Sequence, residues 1–268
     1  MYPSDSLIVR TAERPGSLDR PSEDRIFTTP NAVIVLDGAT QAIPLERDGG
    51  WIADELGRRL VAALTTDPGG ELVPMLERCI AAMVKDHDLR PETAPSTTVS
   101  IVRRDGDALD VLVLCDSPVI VLDTTGQIHE IRDDRLTDVI ARIRPRGSLQ
   151  SLPADERMAL IAQFEAHRNQ PHGFWCVTAT PEAARHAIVT SFAVAQVDTV
   201  LTMTDGVAAG VIDYGMPADW LTAFAVARDH PQQLVDLVHE VEASDPDCSR
   251  WPRSKRHDDK VAARITPA

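Results

Sequence analysis

Four aspartates stand where strand-like apolar runs begin or end. Asp37 follows Ala32-Val33-Ile34-Val35-Leu36, Asp116 follows Leu109 to Cys115, Asp205 follows Val197 to Thr204, and Asp258 shortly precedes Val261 to Ile265. Each lies beside Gly, Ser or another Asp, residue types that let the chain turn and leave a carboxylate at a strand tip. A carboxylate on so rigid a support can hold a ligand without flexing. Four such groups brought together would repel one another strongly unless hard cations neutralised them. Oxygen-only donors, with no His or Cys at metal-ligand spacing, select Mg²⁺ or Mn²⁺ rather than zinc. Asp-Gly is equally an ordinary turn signal, so convergence of the four loops is an expectation for the fold to test.

The elements that must position these groups are legible as changes of period. Three β-branched residues in Ala32 to Leu36 read as a strand buried on both faces. Arg25 to Thr28 should pair with it as a hairpin through the turn at Pro30-Asn31, which places Glu23-Asp24 and Asp37 at the same end. Ser6 to Thr11 reads as a first strand. Gly49 to Leu64 and Glu71 to His87, separated by Asp67-Pro68-Gly69-Gly70, have helical spacing and should pack side by side on a sheet. Ser96 to Arg103, Leu109 to Cys115, Pro118 to Leu122 and Gln127 to Ile131 are spaced like an antiparallel meander. The segment 133–168 is helical in pattern, interrupted at Pro145-Arg146-Gly147, and is expected to be an insert over one end of the sheets. Gly173 to Thr178, Ala187 to Val194 and Val197 to Thr204 read as strands. Pro217 to Arg228 and Pro231 to Ala243 read as helices with Pro in the first turn, and Val261 to Ile265 reads as a last strand. That order suits antiparallel sheets with helices outside, an α+β arrangement, better than a parallel βαβ array.

Composition narrows the class. The net charge of −14 argues against a nucleic-acid surface, which needs a basic face. It suits either concentrated carboxylates or a solvated acidic exterior. No apolar run approaches the roughly 20 residues of a membrane span. Met1 to Ser6 lacks a basic region followed by an apolar core, so no secretion signal is expected. Cys79, Cys115, Cys176 and Cys248 are scattered, which favours buried free thiols in a reducing cytoplasm. One domain over residues 1–268 is the expectation.

The short motifs, taken in order, resemble those of the metal-dependent serine/threonine protein phosphatases of the type 2C (PPM) family. Ser22-Glu23-Asp24 is similar to that family's Asn-Glu-Asp, and Val35-Leu36-Asp37-Gly38 to its strand-borne Asp-Gly. Ser96-Thr97-Thr98 resembles its Gly-Ser/Thr-Thr, Asp116-Ser117 its Gly-Asp-Ser, Thr204-Asp205-Gly206 its Ser/Thr-Asp-Gly and Asp258-Asp259 its closing Asp-Asp/Asn. The resemblance implies a four-layer αββα sandwich with a binuclear Mg²⁺/Mn²⁺ site at one end. It implies that Asp37 bridges two metals, that the Gly38 carbonyl binds one, and that Asp205 and Asp258 complete the other. Asp116 with Asp205 would hold a third metal. Glu23 would ligate directly or through water, and Asp24 would support the shell. It implies phosphoester hydrolysis by in-line attack of a water activated between the metals, with an arginine on the phosphoryl oxygens, either Arg20 or Arg14. Phosphoserine or phosphothreonine in proteins is the expected substrate. A small phosphorylated metabolite on the same site is one alternative, and a phosphatase-like module that binds without turnover is another.

The chain departs from that pattern at several positions. Ala39-Thr40 follows Asp37-Gly38 where a further Gly-Gly and a His acid would be expected, and His257 is a candidate replacement acid. Pro95, Cys115 and Pro118 stand in place of Gly, Gly and Arg. Lys260 and Val261 replace the polar end of the last motif. None of these changes removes an expected primary ligand.

Overall fold

The computed structural model describes residues 6–39, 46–143, 153–253 and 255–268. One antiparallel sheet contains β1 (Leu7–Arg14), β6 (Val119–Asp123), β7 (Ile128–Ile131), β9 (Val197–Met203) and β10 (Lys260–Pro267), in spatial order β1-β10-β9-β6-β7. The other contains β2 (Arg25–Thr28), β3 (Ala32–Leu36), β4 (Val99–Asp105), β5 (Ala108–Leu114) and β8 (Ile188–Ala193), in order β2-β3-β4-β5-β8. The hairpin is as expected: Arg25 pairs with Leu36 and Thr28 with Val33.

Strand alternation divides the apolar residues between two interfaces of each sheet. Val33, Val35, Val102 and Val113 face Val119, Val121, Val200 and Ile265 between the sheets. On the outer face, Ile34, Leu36, Ile101 and Leu112 pack against α1 (Gly49–Thr66) and α2 (Leu72–His87). On the outer face of the other sheet, Leu201, Met203 and Ala262 pack against α5 (Asp205–Ile212), α6 (Trp220–Val226) and α7 (Gln232–Ala243). The result is a four-layer αββα sandwich. All five residues of β3 are buried because both of its faces are covered, which is why it reads as an unbroken apolar run.

Three expectations need correction. The four strands between residues 96 and 131 are not one meander: β4 pairs with β5 and β6 with β7, but β6 pairs next with β9 in the opposite sheet. The chain crosses between sheets at Cys115–Pro118, where Cys115 takes a left-handed φ of 72° and Pro118 offers no N–H to a ladder. Residues 173–178 form no regular strand. Phe174 and Val177 make isolated bridges to Arg168 and Thr97, and Phe174 and Cys176 pack with Cys115 and Val139 in a small satellite core. The segment after β9 continues as α5, a helix that the sequence reading did not contain. Its glycines are poor helix formers, but they permit close approach. A Cβ at Gly206 would lie 2.1 Å from the Asp259 carbonyl oxygen, and one at Gly210 would lie 2.5 Å from a Val238 methyl on α7.

Within the expected insert, α3 (Arg135–Ile143) and α4 (Ala154–Glu165) are helical. Residues 144–152, with the Pro145-Arg146-Gly147 interruption, lie outside the described residues, as does Thr40. Val139 of α3 packs against Cys115, so this segment touches the loop that carries Asp116.

Candidate metal centre

Asp37 leaves β3 under a backbone clamp. Its N–H donates to Thr98 Oγ1 at 3.0 Å, and its carbonyl accepts from Thr98 N–H at 2.9 Å and Thr97 Oγ1 at 2.8 Å. Ser117 Oγ, beside Asp116, lies 2.6 Å from the same Thr98 hydroxyl. The Ser96-Thr97-Thr98 motif thus fixes where two carboxylate loops start. Gly38 faces Thr97 as a non-hydrogen-bonded pair, since the flanking bonds run from Thr98 N–H to Asp37 and from Ala39 N–H to Ser96. In that geometry the N–H and C=O of Gly38 point away from the ladder. The open face of Gly38 packs on α1, whose start at Gly49 is set by the Asp48 side chain accepting from Trp51 N–H at 2.8 Å. A Cβ on Gly38 would lie 2.4 Å from the Gly49 carbonyl, and one on Gly49 would lie 2.5 Å from the Gly38 carbon. The need for glycine at position 49 is not visible in the sequence, because it comes from a backbone eleven residues away.

Asp205 is the first residue of α5, and Asp258 immediately precedes β10 by way of Asp259. Thr204 ties the two elements together: its N–H donates to the Val261 carbonyl at 3.0 Å, and its hydroxyl accepts from Val261 N–H at 3.1 Å. Asp259 is buried and structural. Its carboxylate accepts from Gly16 N–H at 2.7 Å and Glu23 N–H at 2.9 Å, which draws the Glu23-Asp24 loop onto the end of β10. Sequence reasoning left Asp259 without a role, although two backbone donors make it the anchor of the acidic loop.

These elements bring Asp24, Asp37, Asp205 and Asp258 into one electrostatic group, with Asp116 next to Asp205. Burial first, then the charges of Asp24 and Asp205, holds the Asp37 carboxyl well above the ordinary range. Burial and the charge of Asp258 raise Asp205. Asp24 is raised by burial despite a hydrogen bond with Thr204, and its Oδ2 has no hydrogen-bond partner. Asp24 and Glu23 are buried, whereas Asp37, Asp116 and Asp258 are half-buried and Asp205 is exposed. Carboxylates crowded by protein yet reached by water describe a cleft. An all-oxygen donor set under mutual repulsion, with an orphan buried carboxylate oxygen at its base, fits a hard divalent cation.

The same repulsion sets a pH dependence. Burial, then the charge of Asp205, pushes Asp116 up to about 7 from an ordinary value of 3.8. A carboxyl whose folded pKa is raised contributes stability that is complete below its unfolded pKa and is lost as pH rises through the folded one. Metal-free protein is therefore expected to melt at a lower temperature at pH 8 than at pH 5, and Asp116→Asn should flatten that slope. Thermal unfolding across the range checks this, and an unchanged slope in the variant contradicts it.

The remaining candidates divide. Arg20 stands at the rim, its guanidinium 3.9 Å from Glu23 and two-fifths exposed. Arg14 is bound to Asp236 of α7 at 2.7 Å. His257 is turned away from the acid group: its Nδ1 lies 3.0 Å from Glu242 Oε2 and its ring stacks on His239. His239, Glu242 and His257 are, among the described residues, the one set of three ligand-type side chains with ligand atoms within 4.8 Å of one another. They do not form a metal site as they stand. The two rings are 10° from parallel at 4.0 Å, so their in-plane lone pairs run side by side and do not converge, and Lys260 Nζ already holds Glu242 Oε2 at 2.6 Å. Lys255, which no sequence signal singled out, reaches the acid group and pairs with Asp258 Oδ1 at 2.8 Å.

Two antiparallel sheets sandwiched by helices are the fold this chain shares with solved PPM-type serine/threonine phosphatases. In particular, the chain is similar to the serine/threonine phosphatase PstP of Mycobacterium tuberculosis, with 16% identity over 98% of this chain and 99% of that one and a TM-score of 0.57. It is similar as well to Stp1 of Staphylococcus aureus (15% identity, 98% and 95% covered, TM-score 0.62). A structure of the PstP catalytic domain in complex with two manganese ions matches at 16% identity, 97% and 98% coverage and a TM-score of 0.55. No family model and no curated protein matches the sequence. Identities this low establish the fold and leave the activity to the chemistry of the site.

Proposed function

We propose that this chain is a Mg²⁺- or Mn²⁺-dependent phosphatase that hydrolyses phosphoserine and phosphothreonine in proteins. The observation that carries the reading is the gathering of Asp24, Asp37, Asp205 and Asp258 at one end of a PPM-type fold, where burial and mutual charge raise the carboxyls of Asp24, Asp37 and Asp205. Asp37, Asp205, Asp258 and the Gly38 carbonyl would hold two cations, with Asp116 available to a third and Glu23 and Asp24 behind them. Bound there, the cations would supply Lewis-acid stabilisation of the phosphoryl oxygens and acidify an attacking water.

The chain's own residues would do the rest. The Thr97 and Thr98 clamp holds Asp37 in place, so its carboxylate needs little reorganisation to keep its ligand. Arg20, at the rim and accessible, is better placed to meet a phosphoryl oxygen than Arg14, which Asp236 occupies. A guanidinium presents paired donors to phosphate oxygens and stabilises charge that develops on them. No nucleophilic cysteine is required: burial raises the thiols of Cys79, Cys115 and Cys176, which makes them poor nucleophiles.

Phosphate release from phosphoserine and phosphothreonine peptides, measured beside a panel of small phosphorylated metabolites, tests the reading. Mn²⁺-dependent turnover of the peptides, abolished by a chelator, is expected. Turnover confined to metabolites would reassign the substrate, and no turnover of any phosphoester despite bound Mn²⁺ would leave a binding module.

A further inference from the structure

In this structure one cationic side chain enters the acid group. Lys255 Nζ stands 2.8 Å from Asp258 Oδ1, with favourable interactions reaching Asp37 and Asp205. Lys255 is not a loose surface side chain, being only 29% exposed. The turn that precedes it is braced. Asp245 accepts from the N–H groups of Ser249, Arg250 and Trp251 and pairs with Arg253 at 2.8 Å. Arg253 also donates to the Glu242 and Asp245 carbonyls at the end of α7. The Lys255 carbonyl in turn accepts from Cys248 Sγ. The lysine thus meets Asp258 beside a turn braced over residues 245–253.

The carboxylate oxygens themselves stand apart. Among the described residues, no three carboxylates of the acid group offer oxygens mutually within 4.8 Å, although ligands around one octahedral cation must approach about that closely. Asp258 is the member whose oxygen is engaged by a competing cation. Resting on the metal-centre reading above, we propose that Lys255 is a tethered competitor for one metal. Its ammonium holds Oδ1 of Asp258 in the metal-free protein, so a cation there must displace it or share the carboxylate with it, and one of the two cations binds weakly.

A hydrogen-bonded charge pair at this exposure opposes a ligand by an amount that corresponds to about tenfold in affinity. Mn²⁺ binding, followed by calorimetry and by the loss of the free-ion paramagnetic signal, separates the possibilities. Lys255→Met is expected to tighten the weaker Mn²⁺ site about tenfold and leave the tighter one unchanged. Lys255→Arg, which keeps the charge, should stay near wild type. In an Asp258→Asn background the methionine substitution should have no effect, because the group it competes for is gone. Equal Mn²⁺ affinity in wild type and Lys255→Met overturns the role of Lys255 and leaves the metal centre standing. Weaker binding in Lys255→Met also overturns it, by making the lysine a support. Failure of either protein to bind Mn²⁺ overturns the metal centre and this proposal with it.

Discussion

Asp37→Asn is expected to lower Mn²⁺-dependent hydrolysis of p-nitrophenyl phosphate by at least about a thousandfold, while the metal-free variant melts no lower than wild type. The two halves of that expectation have one cause. Asparagine keeps the shape, and the backbone bonds from Thr97 and Thr98 do not involve the side chain, so the end of β3 should stay in place. What disappears is one negative charge facing Asp24, Asp205 and Asp258. Without metal, that charge is a liability. With metal, it is the ligand the two cations would share, and a neutral amide cannot replace it. A general loss of structure would lower both readouts, whereas loss of a ligand separates them. Activity within tenfold of wild type would remove Asp37 from the site.

The second large effect is on stability. Lys260 and Glu242 are 0% and 1% exposed and meet at 2.6 Å. Two buried charges are tolerated only as a hydrogen-bonded pair, and removing one partner strands the other. Lys260→Met is expected to cost about 3–5 kcal/mol, a large share of the roughly 5–15 kcal/mol that holds a typical domain together. The urea midpoint should fall with little change in slope. His257, 3.0 Å from the same Glu242 oxygen, can compensate in part by taking a proton, which places the loss toward the lower figure. The double variant Lys260→Met, Glu242→Leu removes both charges and should recover most of the loss. The pair also bears on the site, since Lys260 Nζ donates to the Asp258 carbonyl at 2.9 Å. A midpoint unchanged in Lys260→Met would show that Glu242 finds its neutralisation elsewhere.

Much of this arrangement was legible in the chain because it is local. Arg25–Thr28 and Ala32–Leu36 announced a hairpin through β-branched runs around a Pro-Asn turn, and the hairpin put Glu23-Asp24 beside Asp37 as the pairing requires. The helices α1 and α2 showed their apolar stripes between Gly and Pro punctuation. What escaped was set by distant partners. Asp205–Ile212 hides its helix behind Gly206 and Gly210, whose missing side chains are needed for contact with Asp259 and Val238. Residues 173–178 have strand composition, yet Phe174 and Cys176 go to a satellite core with α3 while Trp175 and Val177 join the core beneath α1 and α2. The crossing at Cys115–Pro118 looks like any tight turn, because nothing local says that β6 will pair with β9. Lys260 read only as a departure from the polar end of the last motif, because its partner Glu242 lies on another element. Lys255 drew no notice in the sequence, and only the structure shows it paired with Asp258 beside the loop around Asp245. Ordered acidic motifs conveyed where the site would be, while its support, packed from backbone approaches and buried pairs, had no periodic signature to betray it.

Anomalous diffraction from crystals soaked in Mn²⁺ tests the metal centre most directly. Two manganese peaks sharing the Asp37 carboxylate are expected, one beside the Gly38 carbonyl and the other beside Asp205 and Asp258. Full soaking with no manganese at Asp37, or manganese bound only at carboxylates elsewhere on the surface, would contradict it.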